Sequence, residues 1–398
     1  MKRWAVEQNS PLSKIASLLH TMRKIGYDGL PLCAKTLLGT NRDKVELDVL
    51  GEGTFMYIGI ENNLCRRDFD FLQSSNNVTL DVGIDGLQLT RSSKTCLWPI
   101  LGALVDHPKV GPFLIACFQG NSKPPNPDDF LMSFCNEVTN LRENGIKVGS
   151  NEVIKQFRVR SFTCDSPARA FVTGVMSHSA KNACPKCICT SEKHSFPVSV
   201  GIAQTDESFK NRQDISHHRL EYKNKETVLE SANFGMVSQF PLDPMHLVDL
   251  GVMKKLLNLL ISKSNLSVMN KKLQFLSKFV PSEFSRVARD FNELSNWKST
   301  EFRPFLLYTG IFVLKGCSSE DRYYHFLLLH TGIRLLCIER SNNIGINIAD
   351  QILQEFVKLF STLYINERIN FNLHGILHIA DCVRQFGPLD NFSAKSWV

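Results

Sequence analysis

The chain has 398 residues, of which 43% are hydrophobic and 21% are charged, and its 46 Lys and Arg against 39 Asp and Glu give a net charge of +7. This length and composition are typical of a globular protein of two or three domains, whose core is large enough to fold without a disulfide framework. No apolar run reaches about 18 residues, so we expect no membrane span. The charge permits a polyanionic partner but does not require one.

The N-terminal region, residues 1–75, is expected to be small and helical. Its start, MKRWAVEQNS, lacks the apolar segment of a signal peptide, so we expect no secretory route. The twelve cysteines are then expected to be thiols or metal ligands rather than disulfides. Apolar residues between Pro11 and Ile25 have helical spacing, and Gly26 follows as a stop signal.

Residues 76–200 change to a strand pattern. Apolar runs at 78–89, 95–105 and 111–118 predict three adjacent strands in an antiparallel meander. The segment 126–145 then has the N-cap, first-turn proline and acidic residues of a helix start, and it ends on glycine. This segment therefore predicts a helical crossover after the meander.

A fourth strand is predicted over 154–164, and a helix over 168–178 follows it. The preceding crossover would let the fourth strand lie parallel to the first. Residues 201–365 have helical periodicity and few strand signals, so we expect an all-helical insertion there. Residues 366–398 are expected to close the fold with one helix over 372–386.

Two acids stand at the ends of predicted strands. Asp85 follows the first strand and Asp165 follows the fourth. If these strands are neighbours, both carboxylates lie at one edge of the sheet, where they could hold Mg²⁺ for phosphoryl transfer. In the alternative interpretation, each aspartate is a turn former beside Gly86 or Pro167.

A second group of residues has the chemistry of a zinc site. Cys184 and Cys187 have the spacing of two thiolate ligands, and His374 and His378 would share one face of a helix. Spacing does not decide whether the two pairs meet, and the histidines could instead be core residues without a metal. The rival ligands are Cys189, His178, His194 and His246.

A third segment, Asp243-Pro-Met-His246-Leu-Val-Asp249, precedes a predicted helix. Asp243 and Pro244 can cap that helix. His246 and Asp249 could be metal ligands, acid–base groups or cap partners, and the sequence leaves these roles open.

In their order along the chain, these motifs resemble the transposases of the CACTA (En/Spm-like, CMC) superfamily, and more closely the transposase-domain proteins of animal genomes. The resemblance runs from about Val78 to the end and is carried by Asp85-Gly86, Cys164-Asp-Ser-Pro167, Ala183-Cys-Pro-Lys-Cys187, Asp243–Leu256 and Asn372–Leu389. It implies an RNase H-like core, a mixed sheet with flanking helices, interrupted by a large helical insertion. The implied activity is Mg²⁺-dependent cleavage and strand transfer of DNA.

The resemblance also implies roles for individual residues. Asp85 and Asp165 would be the first two acids of a DDE triad and would hold Mg²⁺ or Mn²⁺. A structural Zn²⁺ would be held by Cys184, Cys187, His374 and His378. The implied partners are the transposon ends and target DNA in the nucleus, with no membrane and a possible homo-oligomer.

One departure from the family concerns the third acid. The family places a Glu shortly after the second histidine, but no Glu follows His378, and neither Asp381 nor Asp390 stands at its position. We therefore expect an incomplete triad and a truncated or inactive copy of the enzyme. The alternatives are a domesticated, non-catalytic nuclear DNA-binding protein and a zinc-stabilised protein-interaction protein.

Overall fold

A computed structural model describes residues 1–8, 10–40, 47–89, 94–193, 195–339 and 342–397. The chain divides into two compact units, Met1–Leu47 and Asp48–Val398. The first unit contains the helices α1 (Lys2–Glu7), α2 (Leu12–Lys24) and α3 (Ala34–Leu38). Helix α2 confirms the helix predicted between Pro11 and Ile25, and it buries Ile15 and Leu19 in a small apolar cluster.

The second unit is α/β and contains one mixed sheet with helices around it. In the sheet the strands are ordered β1-β2-β6-β5-β3-β8-β7, with β4 paired to β5, and a separate pair is formed by β9 and β10. The strands are β1 (Asp48–Leu50), β2 (Gly53–Tyr57), β3 (Asn77–Ile84), β4 (Leu87–Gln88), β5 (Cys96–Leu104), β6 (Phe113–Gly120), β7 (Ile146–Val148), β8 (Val153–Cys164), β9 (Cys187–Ile188) and β10 (Ile202–Ala203).

Helices of this unit lie between the sheet strands and fill most of the second half of the chain. The α-helices are α4 (Ile60–Leu64), α5 (Pro127–Asn144), α6 (Ser166–Val172), α7 (Asp206–Lys210), α8 (Val228–Ser231), α9 (Lys254–Leu260), α10 (Leu266–Ser277), α11 (Ser299–Pro304), α12 (Gly310–Leu314), α13 (Glu320–Leu336), α14 (Asn343–Leu363), α15 (Phe371–Gly375) and α16 (Ile379–Phe386). Two π-helical segments, Met245–Met253 and Phe305–Thr309, continue into α9 and α12.

Short 3₁₀ turns complete the described secondary structure. They are Arg67–Ser74, Pro108–Val110, Ile215–His217, Leu220–Tyr222, Phe291–Asn296, Ile376–His378, Leu389–Phe392 and Ala394–Trp397. Within the described residues, no helix is long and apolar enough to cross a membrane.

The predicted meander and crossover are confirmed. Strand β5 pairs antiparallel with β3 and β6, and β8 pairs parallel with β3. The crossover between them contains α5, whose N-cap Asn126 accepts a hydrogen bond from the Asp128 amide. Helix α5 covers the sheet because its buried face, including Phe134, packs against Phe162 of β8.

Several local features differ from the sequence prediction. The sequence does not predict strands β1, β2, β7, β9 and β10, of which β10 lies at the start of the segment expected to be all-helical. Strand β2 joins the sheet by pairing with β6. The helix predicted over 168–178 ends at Val172, because Gly174 adopts a φ of +67° that stops the helix. The helix predicted over 372–386 is divided by the 3₁₀ turn Ile376–His378.

Two apolar cores lie within the second unit. One is formed by the sheet and its covering helices. The other joins the helices between 245 and 389 to the segment that contains Cys184 and Cys187. The helical residues and the cysteine segment therefore share one core, although they are far apart in sequence.

Candidate metal centres

The structure places Asp85 and Asp165 at the same edge of the sheet. In the parallel pairing of β3 with β8, Ile84 lies opposite Cys164, and each aspartate is the first residue after its strand. Two acids separated widely in sequence thus follow paired residues of adjacent strands. The register, rather than a loop conformation, brings them together.

Each carboxylate also supports its own local turn. The amide of Gly86 donates to Asp85 Oδ1 over 2.7 Å. Asp165 is the N-cap of α6, and its Oδ1 accepts from the Ala168 amide over 2.6 Å. Among the described residues, the second oxygen of neither acid accepts a hydrogen bond. The turn-forming interpretation and the metal-binding interpretation are therefore compatible.

The carboxylates repel each other. Burial, followed by the negative charge of Asp165, raises the pKa of Asp85 to about 6. The hydrogen bond from the Gly86 amide and the charge of His246 lower the pKa of Asp85, but by less than burial and Asp165 raise it. A divalent cation between the two acids would remove this repulsion, and hard oxygen ligands are those that Mg²⁺ prefers.

His246 stands near this pair and is oriented by Asp243. The Nδ1 of His246 lies 2.5 Å from Asp243 Oδ2. Burial alone would lower the pKa of His246, but the bond to Asp243 and the charges of Asp243, Asp165 and Asp85 outweigh burial and raise it. His246 therefore belongs to the surroundings of the acidic pair rather than to the cysteine cluster.

Asp243 has no oxygen to spare for a metal. Its Oδ1 accepts from the amides of Met245 and Ala394, and its Oδ2 accepts from the amide and Nδ1 of His246. Asp249 is buried within the π-helical segment Met245–Met253. Its carboxylate forms an ion pair of 2.9 Å with Lys395. Asp243 thus orients His246 and caps the segment, whereas Asp249 is half of a buried ion pair.

Trp397 covers the sheet beside the acids. A Cβ added to Gly83 would come within 2.6 Å of the Trp397 ring, so only glycine permits this approach. A cavity of about 50 Å³ is lined by both aspartates, Met245 and Trp397. Sequence reasoning missed this contact, although a glycine inside a strand can signal the close approach of another group.

The second centre is a buried cluster of two thiols and two imidazoles. Cys184 lies just before β9, and Cys187 is the first residue of β9. His374 lies in α15, and His378 ends the following 3₁₀ turn. One ligand atom from each lies within 4.8 Å of the others, and all four residues are buried. The structure therefore brings together the four predicted ligands, across 187 residues between Cys187 and His374.

The spacing of these atoms fits a tetrahedral zinc ion. Zn–S bonds of about 2.3 Å and Zn–N bonds of about 2.0–2.1 Å require edges of about 3.8 Å for S–S, about 3.6 Å for S–N and about 3.3 Å for N–N. The two Sγ atoms are 3.7 Å apart, and the two Nε2 atoms are 3.5 Å apart. The S–N distances are 3.5 Å for Cys184–His378 and 3.4 Å for Cys187–His374.

The surroundings of His374 favour metal binding. Its Nδ1 donates to the carbonyl of Pro197 over 2.9 Å, which leaves Nε2 toward the thiols, as in most ligating histidines. Burial by itself would raise the pKa of the Cys184 thiol and lower the pKa of the His374 imidazole. Hydrogen bonds among the members of the cluster outweigh burial, so the pKa of Cys184 is lowered and that of His374 is raised to about 10. The cluster can therefore bind zinc.

Two of the rival ligands lie away from the Cys/His cluster, and one lies within contact distance of it. His178 is exposed and contacts the Phe371 ring, and His246 lies beside the acidic pair. His194 lies outside the described residues. Cys189, by contrast, has its Sγ 3.4 Å from His374 Nε2, so it belongs to the cluster.

Comparisons with known proteins do not identify the chain: neither the family models nor the curated proteins give a match. The resemblance to transposases therefore rests on the sequence motifs alone.

Proposed function

We propose that this protein derives from a CACTA-type DNA transposase and that its mixed sheet is an RNase H-like core. The observation that carries the proposal is the position of Asp85 and Asp165 directly after paired residues of adjacent parallel strands. The order of strands and the helical crossover support the same fold. The helices between 201 and 365 would be the insertion that such enzymes carry.

Asp85 and Asp165 fit a Mg²⁺ or Mn²⁺ ion, since each has an oxygen without a hydrogen-bond donor and their charges repel. When bound, the ion supplies Lewis acidity to the oxygens of a DNA phosphodiester. His246 uses Nδ1 to bind Asp243, so its Nε2 remains to donate to a phosphate oxygen. The raised pKa of His246 favours the charged form that this contact requires.

Within the described residues, the proposed site has two acids with an oxygen free for a metal. The family uses three acids, and Asp243, the other acid whose charge reaches Asp85, has both oxygens occupied by N–H donors. A missing metal ligand weakens stabilisation of the transition state, and each ~1.4 kcal/mol added to the activation free energy lowers the rate tenfold. We therefore propose that these two acids bind a divalent cation at which DNA binds, in the nucleus, and that two acids alone support strand transfer poorly.

The test measures metal binding and DNA chemistry separately. Mn²⁺ binding, followed by electron paramagnetic resonance, should fall at least about tenfold in Asp85→Asn and in Asp165→Asn, because each loses a charged ligand. The control is Asp129→Asn, which makes the same change at an exposed position of α5. Nicking and strand transfer are assayed on DNA ends with Mg²⁺ or Mn²⁺. Unchanged Mn²⁺ binding in Asp165→Asn, or strand transfer that survives Asp165→Ala, contradicts the proposal.

A second candidate is a non-catalytic DNA-binding or protein-interaction role stabilised by zinc. It is favoured by the occupied oxygens of Asp243 together with the well-formed Cys/His cluster. DNA binding that persists in EDTA-free buffer without Mg²⁺, and is unchanged in Asp85→Asn, would favour this role over catalysis. DNA binding that requires Mg²⁺ and both aspartates would exclude it.

A further inference from the structure

The zinc cluster contains one more thiol than a tetrahedral site needs. Cys187 and Cys189 are two residues apart at the end of β9, and side chains at this spacing in a strand point to the same side. The Sγ of Cys189 lies 3.4 Å from His374 Nε2, the same distance as that from Cys187.

His378 and Cys189 both approach His374. The Nε2 of His374 lies 3.5 Å from His378 Nε2 and 3.4 Å from Cys189 Sγ. The set of ligand atoms within 4.8 Å of one another contains His378 with Cys184, Cys187 and His374, and it leaves out Cys189. Cys189 therefore stands beside this set, where its thiol could take the place of His378. With His378 the site is Cys₂His₂, and with Cys189 it is Cys₃His; both are structural zinc sites.

We propose that Cys189 is a reserve zinc ligand that replaces His378 without loss of the metal. This inference rests on the proposed zinc centre. In the exchange, the bond from zinc to His378 Nε2 breaks and a bond from zinc to Cys189 Sγ forms. The thiol proton of Cys189 passes to the freed Nε2, so charge and protons balance and no oxidant is required. The exchange frees the end of the Ile376–His378 turn while His374 stays bound.

The exchange can be measured in protein loaded with Co²⁺, because charge-transfer absorption from thiolate to cobalt grows with the number of thiolates. His378→Asn should still bind one Co²⁺ per chain, with this absorption increased by about half as the site changes from two thiolates to three. The double variant Cys189→Ser/His378→Asn should bind Co²⁺ at least about tenfold more weakly than His378→Asn. The matched control, Cys337→Ser/His378→Asn, removes a thiol outside the cluster and should behave as His378→Asn.

A variant that retains His378 keeps the inference testable if His378→Asn does not fold. Cys189→Ser alone should bind zinc but release it to a chelator several-fold faster than the unchanged protein, because no thiol replaces a detached His378. Equal release rates, or loss of metal from His378→Asn as complete as from the double variant, would overturn the reserve ligand. A failure of the unchanged protein to bind Zn²⁺ or Co²⁺ would instead overturn the zinc centre itself.

Discussion

The carboxyl group of Asp85 lies in surroundings that resist its ionisation. Its pKa is raised to about 6 by burial and by the charge of Asp165. A cation at the acidic pair must displace this proton, so protons and cation compete. We expect Mn²⁺ affinity to rise with pH up to about 6, by up to tenfold per pH unit, and to level off above it. Binding measured by electron paramagnetic resonance between about pH 5 and pH 7.5 checks this.

The role of Asp165 in this titration can be separated from burial. In Asp165→Asn the repelling charge is removed, so the pKa of Asp85 should fall, while burial should keep it above the ordinary value. The shift can be followed by carboxyl ¹³C NMR, with Asp129→Asn as the control. An affinity for Mn²⁺ that does not change between pH 5 and pH 7 would contradict this account of the site.

Some residues of the candidate sites could be predicted from the sequence, and others could not. The spacing of Cys184 with Cys187 and of His374 with His378 indicated zinc ligands, because two ligands on one turn are a local pattern. The contact of Cys189 with His374 and the bond between His246 and Asp243 depend on which segments converge. No local spacing encodes that convergence, so these residues remained among several alternatives.

Helix α4 depends on a carboxylate from another element. Glu137 of α5 accepts hydrogen bonds from the amides of Ile60 and Glu61 at the first turn of α4, and from the hydroxyl of Tyr57 in β2. Glu137→Ala should lower the free energy of unfolding by about 2 kcal/mol, because it leaves these donors unpaired. Glu137→Gln, which keeps an acceptor, should cost about half as much.

Urea denaturation measures this difference between the two variants. Glu143→Ala, an exposed change on the same helix, is the control and should alter stability by less than about 0.5 kcal/mol. Equal stability of Glu137→Ala and the unchanged protein would show that water or neighbouring groups satisfy these donors.

Elements with strong local signals were predicted within a few residues. Strands β3, β5, β6 and β8 have clear apolar patterns, and the caps of α5 define its start. Strands β1 and β2 are short and are held mainly by the pairing of β2 with β6, so their stability comes from a distant partner. The π-helical form of Met245–Met253 likewise has no signal in apolar periodicity, because that periodicity predicts only a helix.

The cluster of Cys184, Cys187, His374 and His378 connects two distant parts of the second unit. Zinc binding should therefore stabilise the fold as well as the site: at about 100 times its dissociation constant, the metal adds ~2.7 kcal/mol. We expect about one Zn²⁺ per chain, and a lower melting temperature after treatment with a chelator. Cys184→Ser should lose the metal and melt at the lower temperature.

Metal analysis and thermal unfolding, followed by circular dichroism, make these measurements. Cys337→Ser serves as the control, since this thiol lies outside the cluster, and it should keep both the zinc and the melting temperature. Purified protein without zinc would contradict the assignment of the cluster, as would a melting temperature that a chelator does not change.

The proposed zinc ligands also bear on how the chain tolerates a change in length. A metal that joins Cys187 to His374 closes a loop across 187 residues, and the entropy cost of closing a loop grows only with the logarithm of its length. Doubling a flexible loop of this kind costs about 0.6 kcal/mol. Exposed insertions between these ligands should therefore add little to the entropy cost of joining them, whereas the helices that share the core with Cys184 and Cys187 cannot be removed so cheaply.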